Sequence, residues 1–357
     1  MTEGHDRMSG SPARSSGEDP PPSRAGGHDP LSDVLRNVRL GGALFFQVEA
    51  TAPWCVDVPE SQAFGAILFR RARHLISYHI AVEGSGFAAV PSAPRMAFET
   101  GDILVIPHGD AYRIESAPGT EPEFDREGTL QFFREMAAGR LPFVVHEGGG
   151  GDPPARFVCG FLGCDSRPFN PLLAQLPRLL RIRRRAGGAD LLDRLVDLTL
   201  AEMQHERTGG TSLRLGLSEL LFIEAIRRHL EALPVGETGW LAGLRDPAVG
   251  RALAALHARP QAAWTLGGLA RDAGVSRSVL AARFADLVGQ PPMQYLASWR
   301  MQRAARLLAD GDATVGAVAF EVGYGSEAAF SRSFKRMVGM SPAQWRRAAT
   351  AGALEAG

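Results

Sequence analysis

Between Asp246 and Arg347 the apolar positions recur with the period of a helix, and they do so twice, at an offset of 50 residues. Leu280, Phe284, Leu287 and Val288 form one stripe, and Phe330, Phe334, Met337 and Val338 form its copy. Gly289 and Gly339 follow the stripes as stops, and Pro292, Gln294 and Tyr295 find counterparts in Pro342, Gln344 and Trp345. A shorter apolar helix and a turn precede each stripe. Thr265 and Thr314 are placed to cap the shorter helices, and Ser276 and Ser326 the longer ones. Gly274-Val275 and Gly323-Tyr324-Gly325 supply the turns. The pattern predicts two helix-turn-helix units in tandem.

Upstream the period changes to two. Leu44, Phe46, Val48 and Ala50 alternate with Phe45, Gln47 and Glu49, and further short runs cover Ala66 to Phe69, Leu75 to Val82, Gly86 to Val90, Ile103 to Pro107 and Tyr112 to Glu115. Many short strands broken by Gly and Pro predict a sandwich or small barrel. From Ala117 to Pro154 the sequence reads as a long polar connection with one amphipathic piece, Leu130 to Met136, and the tract HEGGGGDPP as a flexible loop. Val158 to Leu162 reads as a closing strand, and PFNPLL as the start of a helix with proline at its entry. Leu191 to Leu200 and Leu213 to Leu233 are amphipathic helices. The face around Leu217, Leu220, Leu221, Glu224 and Ile226 is either a core or a dimer surface. The expected organisation is a disordered leader over 1–30, a β-rich domain over 31–165 and helices for dimerisation or linkage over 166–234. A linker over 235–245 and the repeated helical domain over 246–348 complete it.

Charge sharpens the second half. Arg245 to Thr350 carries 14 Lys and Arg against 7 Asp and Glu, whereas the rest of the chain carries 25 against 32. A basic segment inside a chain of formal net charge zero is the footprint of a phosphate-binding surface. The polar side of the second long helix holds Glu327, Ala328, Ser331, Arg332 and Lys335, with Arg336 beside them. The first presents Ser278, Ala281, Ala282 and Asp286, flanked by Arg277 and Arg283. The stretch from Pro292 to Leu308 forms a helical spacer of about 26 Å, which suits recognition helices in successive major-groove turns about 34–36 Å apart.

These residues carry a resemblance. GDATVGAVAFEVGYGSEAAFSRSFKRMVGMSPAQWRR resembles the second helix-turn-helix signature of the AraC/XylS family of transcription regulators, and WTLGGLARDAGVSRSVLAARFADLVGQPPMQYLASWRMQRAARLL the first with its linker helix. The resemblance makes Glu327, Ala328, Ser331 and Arg332 base-facing, with Ser278, Ala281 and Ala282 as counterparts. The alanines depart from the long polar side chains frequent in relatives, which puts direct readout mainly on Arg332 and its neighbours. YHIAVEGSGFA and GDILVIPHGDAYRI resemble the paired motifs of the cupin jelly roll in its form fused to AraC-type regulators. The implied fold is α+β and multidomain, a cupin-like barrel followed by dimerisation helices and an all-α tandem helix-turn-helix domain. His79 and Glu83 stand at metal-ligand positions of the first motif, while Ser77 and Tyr112 stand where further histidines would be. Two ligands of four make a poor site, so no metal or other cofactor is expected. The barrel mouth remains the default pocket for an unidentified small-molecule effector, with Tyr78, His79, Glu83, His108 and Tyr112 as its polar candidates.

Cys159 and Cys164 stand five residues apart and read either as small buried hydrophobes or as a redox pair closed by a bend at Gly163. Three cysteines, no apolar run of membrane length and no apolar signal segment point to the cytoplasm. The expectation is therefore a non-enzymatic, DNA-binding regulator, homodimeric through its helices, with double-stranded DNA as partner, RNA polymerase as a candidate partner and no membrane. Two other classes compete. One is a metal-dependent cupin enzyme with a DNA-binding appendage, which metal content would reveal. The other is a nonspecific architectural DNA binder, which competition with random DNA would reveal.

Overall fold

The computed structural model describes residues 28–354 apart from 38, 70–71, 73, 143, 166–167, 184–189, 204–206 and 235. The expected leader thus lies almost wholly outside the described residues. The first elements are α1 (Pro30–Asn37), β1 (Arg39–Ala52), β2 (Cys55–Val58), α2 (Ser61–Leu68), β3 (His74–Glu83), β4 (Ser85–Ala89), β5 (Met96–Glu99), β6 (Ile103–Ile106) and β7 (Tyr112–Glu115). They continue as α3 (Arg126–Ala137), β8 (Val144–Gly148), β9 (Gly151–Asp165) and β10 (Leu180–Ile182). Two sheets result, one ordered β10-β6-β3-β9-β1-β8 and one ordered β2-β7-β4-β5. Their facing sides enclose a core that includes Phe46, Trp54, Phe98, Tyr112, Phe157 and Phe161, with α2 and α3 packed at one end. The architecture is α+β, as expected.

Three local expectations fail, each for a physical reason. Ala66 to Leu68 is not a strand but the last turn of α2, with Phe69 as its extended cap, because the helix turns Phe64 inward to stack on Phe133 of α3 at 4.4 Å between ring centroids. A short apolar run cannot by itself choose between strand and helix, and packing decides. HEGGGGDPP is not a free loop. Its ends belong to β8 and β9, and β8 runs parallel to β1 with Glu147 opposite Ala50. The turn between them needs Gly148 at φ 101°, where a Cβ would also meet the Thr51 carbonyl oxygen. PFNPLL makes only a 3₁₀ turn, Leu173–Gln175, because Pro177 drives Leu176 into extended backbone.

The outer face of the larger sheet is covered by α4 (Leu191–Met203) and α5 (Gly210–Ala232). Leu217, Leu221, Phe222, Ala225 and Ile226 are buried there against Ile76, Tyr78 and Ile103, so the apolar stripe of α5 is core within one chain. Leu191, Leu198, Leu213 and Leu220 remain about half exposed on the same two helices.

The helical domain comprises α6 (Trp240–Arg245), α7 (Pro247–Ala258), α8 (Leu266–Asp272), α9 (Arg277–Val288), α10 (Pro292–Asp310), α11 (Val315–Glu321), α12 (Glu327–Val338) and α13 (Pro342–Leu354). Its start differs from the expectation, since α6 was assigned to the linker. Trp240 is fully buried, and its indole Nε1 donates to Tyr295 OH at 2.8 Å, which ties α6 into the first unit. The 50-residue repeat is reproduced cap by cap. Ser276 accepts from Val279 N and Ser326 from Ala329 N, Thr265 from Gly268 N and Thr314 from Ala317 N. Gly289 and Gly339 close α9 and α12 in the left-handed region at φ 79° and 85°. Only Met337 leaves its stripe, lying at the surface while Phe330 and Phe334 are fully buried.

The two halves share one apolar core, which runs from the larger sheet through α5 to Phe284, Tyr295 and Trp299 of the first unit. Polar contacts reinforce the seam. The Gln175 side chain accepts from Trp240 N and donates to Val288 O at 3.0 Å, and Phe169 N donates to Gln302 Oε1 at 2.9 Å. Burial would raise the Asp33 carboxyl, but hydrogen bonds from His257, His28 and Arg36 outweigh it and hold the group down at about 2. His257, kept neutral by burial, joins Asp33 on α1 to Tyr295 OH on α10.

Candidate nucleic-acid interface and cavity

Each stripe fixes which side of its helix is free. With Leu280, Phe284 and Val288 inward, α9 exposes Arg277, Ser278, Ala282 and Arg283, and half-buries Ala281. With Phe330 and Phe334 inward, α12 exposes Glu327, Ala328, Arg332, Lys335 and Arg336, and half-buries Ser331. The second longer helix of each unit therefore offers a polar face of small and cationic side chains, the composition that fits a major groove.

The cations divide into two groups. Arg283 pairs with Asp246, the cap of α7, at 2.6 Å, so it braces the first unit. Arg251 donates to Ala273 O at 2.6 Å across the α8–α9 turn. Arg300 donates to Pro260 O and Ala262 O and lies over the Tyr324 ring at 5.9 Å, joining the two units across α10. Arg332, Lys335 and Arg336 have no carboxylate partner among the described residues, which leaves their charge to solvent or to a phosphate backbone. The spacer α10 has 19 residues, about 28 Å at the usual rise per residue.

In the β-rich domain a cavity of about 640 Å³, its mouth included, lies between the two sheets and α3. Aromatic rings dominate its wall: Phe46, Trp54, Phe132, Phe133, Phe157 and Phe161. The five expected pocket residues are scattered, and only His79 and Tyr112 line this cavity. His79 Nε2 meets Tyr112 OH at 2.9 Å and Nδ1 meets Cys159 Sγ at 3.0 Å, while burial pushes the imidazole down to about 3. Tyr78, the next residue along β3, points to the opposite face, where its hydroxyl bonds Ser218 of α5 at 3.1 Å. Glu83 lies at the surface and pairs with Arg156 at 3.2 Å, and His108 Nε2 donates to Leu176 O at 2.8 Å. Among the described residues no three His, Cys, Asp or Glu side chains come together as a metal-binding group.

The cysteine pairing is overturned. Cys159 and Cys164 both lie on β9, opposite Phe46 and Leu40 of β1, so the bend expected at Gly163 is absent. Five steps of extended strand separate them by about 16 Å, and their side chains enter different cores. Burial raises the Cys164 thiol to about 12 and pushes the Cys159 thiol well above its ordinary value, the reverse of a reactive thiolate.

One lining residue had no motif to announce it. Glu147, at the end of β8, places a carboxyl on the aromatic wall, and burial followed by the neighbouring Glu123 pushes it up to about 7. Recognising the alternation of β8 inside the glycine-rich tract would have marked it as inward-facing.

A β-sandwich with a cavity, joined by helices to a tandem helix-turn-helix, defines a two-domain DNA-binding regulator. Family comparison agrees with both halves: the cupin model matches residues 29–231 and a helix-turn-helix model residues 269–348. The chain is 33% identical over 321 residues to an AraC-like transcription regulator of Streptomyces lividans, covering 89% of this chain and 98% of that protein. It is 28% identical to the HTH-type transcriptional regulator AlkR of Acinetobacter baylyi, covering 89% of this chain and 99% of that protein. The DNA-binding domain of AdpA, solved with a target DNA, is 34% identical over 30% of this chain and 95% of its own, at a TM-score of 0.29. The chain belongs to the AraC-like family of transcription regulators and carries a cupin N-terminal domain. Among the described residues no helix is long and apolar enough to cross a membrane.

Proposed function

We propose that this regulator is a cytoplasmic homodimer that reads double-stranded DNA through α9 and α12, and that a small molecule in the cupin cavity alters its operator affinity. The carrying observation is the shared apolar core. The β3–β9 layer that bounds the cavity on one side supports α5 on the other, and the same core continues into α9 and α10. A ligand that shifts the sheet would be felt at the first recognition helix, which Gln175 grips at its C-terminal carbonyl. No catalysis is assigned. His79 sits neutral between Tyr112 and Cys159, and Glu83 is turned outward, so the polar groups of the two cupin motifs do not form a reacting centre. RNA polymerase remains a candidate partner of the DNA-bound form.

Dimerisation is assigned to the half-exposed leucines of α4 and α5, because large apolar side chains grouped on paired helices are the usual material of an isologous interface. Leu198→Glu combined with Leu220→Glu is expected to convert a dimer to a monomer in sedimentation. Affinity for a paired operator should fall at least tenfold, while stability changes little because both side chains face solvent. A wild-type chain that is monomeric at micromolar concentration, or a double variant that stays dimeric, would remove this assignment.

A further inference from the structure

We propose that the cupin cavity is a site for a lipophilic organic cation, an aromatic or alkyl group bearing a quaternary or protonated amine, with Glu147 as its counter-ion. This inference rests on the reading of the cavity as the effector site. It adds the chemical class of the ligand.

Three observations select that class. The wall is largely aromatic: Trp54 packs against Phe157 with centroids 5.1 Å apart, and Phe46 against Phe132 at 5.7 Å and Phe161 at 6.5 Å. Such rings present negative faces to a cation and ample apolar surface to the group that carries it. Among the described residues no arginine or lysine lines the cavity, and the lining imidazole, His79, is held neutral, so a carboxylate or phosphate ligand would meet no counter-charge from them. Among the described residues the wall does hold one carboxyl, that of Glu147, opposite Ala50 on β1. Glu123 reinforces the sign beside it, its Oε2 accepting from Gly148 N at 3.2 Å.

Charge complementarity then excludes the neighbouring classes. A purely apolar ligand would cover Glu147 and leave its carboxyl, even when protonated, without a hydrogen-bond partner. An anion would add repulsion from two carboxylates. A cation satisfies the rings and the carboxylate together. Burial, then Glu123, raises the Glu147 carboxyl to about 7, and a cation beside it would favour its charged form.

The test uses three probes sharing one phenethyl body: phenethyltrimethylammonium, its carbon isostere 1-phenyl-3,3-dimethylbutane, and 3-phenylpropionate. Calorimetric titration of the full chain should show the cation binding at least tenfold more tightly than either alternative. Glu147→Gln should lose at least tenfold for the cation and leave the isostere within about threefold. Glu123→Gln, at an exposed position, should lose a smaller factor and serves if the first variant does not fold. Equal binding of cation and isostere, preference for the anion, or no binding by any probe would overturn the proposal. Operator affinity separates the two readings. Glu147-dependent cation binding that leaves operator affinity unchanged keeps the site and removes its sensor role. An isostere that binds as tightly as the cation and shifts operator affinity keeps the sensor role and removes the cation.

Discussion

Phe334→Ala is expected to unfold the second helix-turn-helix unit and abolish DNA binding at 37 °C. Phe334 is fully buried in a small separate core that also contains Val318, Ala319, Val322, Phe330 and Trp345. Its ring meets Trp345 edge-on at 6.2 Å and Phe330 at 5.5 Å, so truncation strips aromatic contacts from two neighbours as well as its own volume. Losing a buried phenylalanine costs about 3–5 kcal/mol, a large share of the stability of any small unit. Its counterpart Phe284 lies in the much larger core continuous with the cupin domain. The asymmetry is itself checkable. Phe334→Ala should add an early thermal transition confined to the C-terminal unit, whereas Phe284→Ala should lower the main transition. A Phe334→Ala protein with unchanged melting and unchanged DNA affinity would contradict the placement of this core.

The second large effect concerns readout. Arg332 is exposed on α12, one turn before Lys335-Arg336, and is not consumed by an ion pair among the described residues. If its guanidinium forks onto a guanine edge, Arg332→Ala should weaken operator binding by about 1–3 kcal/mol and relax preference at one base pair. Lys335→Ala should weaken all sequences alike, because a contact to phosphate carries no base information. Arg283→Ala is expected to act differently from both, since its partner Asp246 caps α7 and its loss loosens the first unit. Binding isotherms against the operator and single-base variants discriminate the three. Equal, sequence-blind losses for Arg332 and Lys335 would reduce Arg332 to a phosphate contact.

How much the sequence disclosed follows from the range of each interaction. The tandem units were legible because a helix declares itself locally, through a stripe of Phe and Leu, a Ser or Thr cap and a glycine stop. The strands of the cupin domain were visible as alternation, but their partners were not. Nothing near Val158 indicates that β9 is a 15-residue strand lying between β1 and β3, and that pairing alone rules out a Cys159–Cys164 bridge. The pocket was half legible. Tyr78 and His79 are neighbours in sequence and therefore lie on opposite faces, which the motif concealed and the pleat decides. Glu147 reaches the cavity only through a parallel pairing between β8 and a strand about a hundred residues earlier. Trp240 gives no local sign of belonging to the helical domain, because its contacts with Tyr295 and Gln175 are distant along the chain.

Sequence-specific recognition by two helices held in tandem is the property from which the other expectations follow. Full-length protein should be used to select duplexes from a random-sequence pool. The predicted outcome is an enriched site of two short elements about one helical turn apart. Its affinity should exceed that for random DNA by at least a thousandfold, with a log–log salt slope near −5 if about six phosphates are contacted. Recovery of no common sequence, or equal affinity for selected and random duplexes, would contradict it.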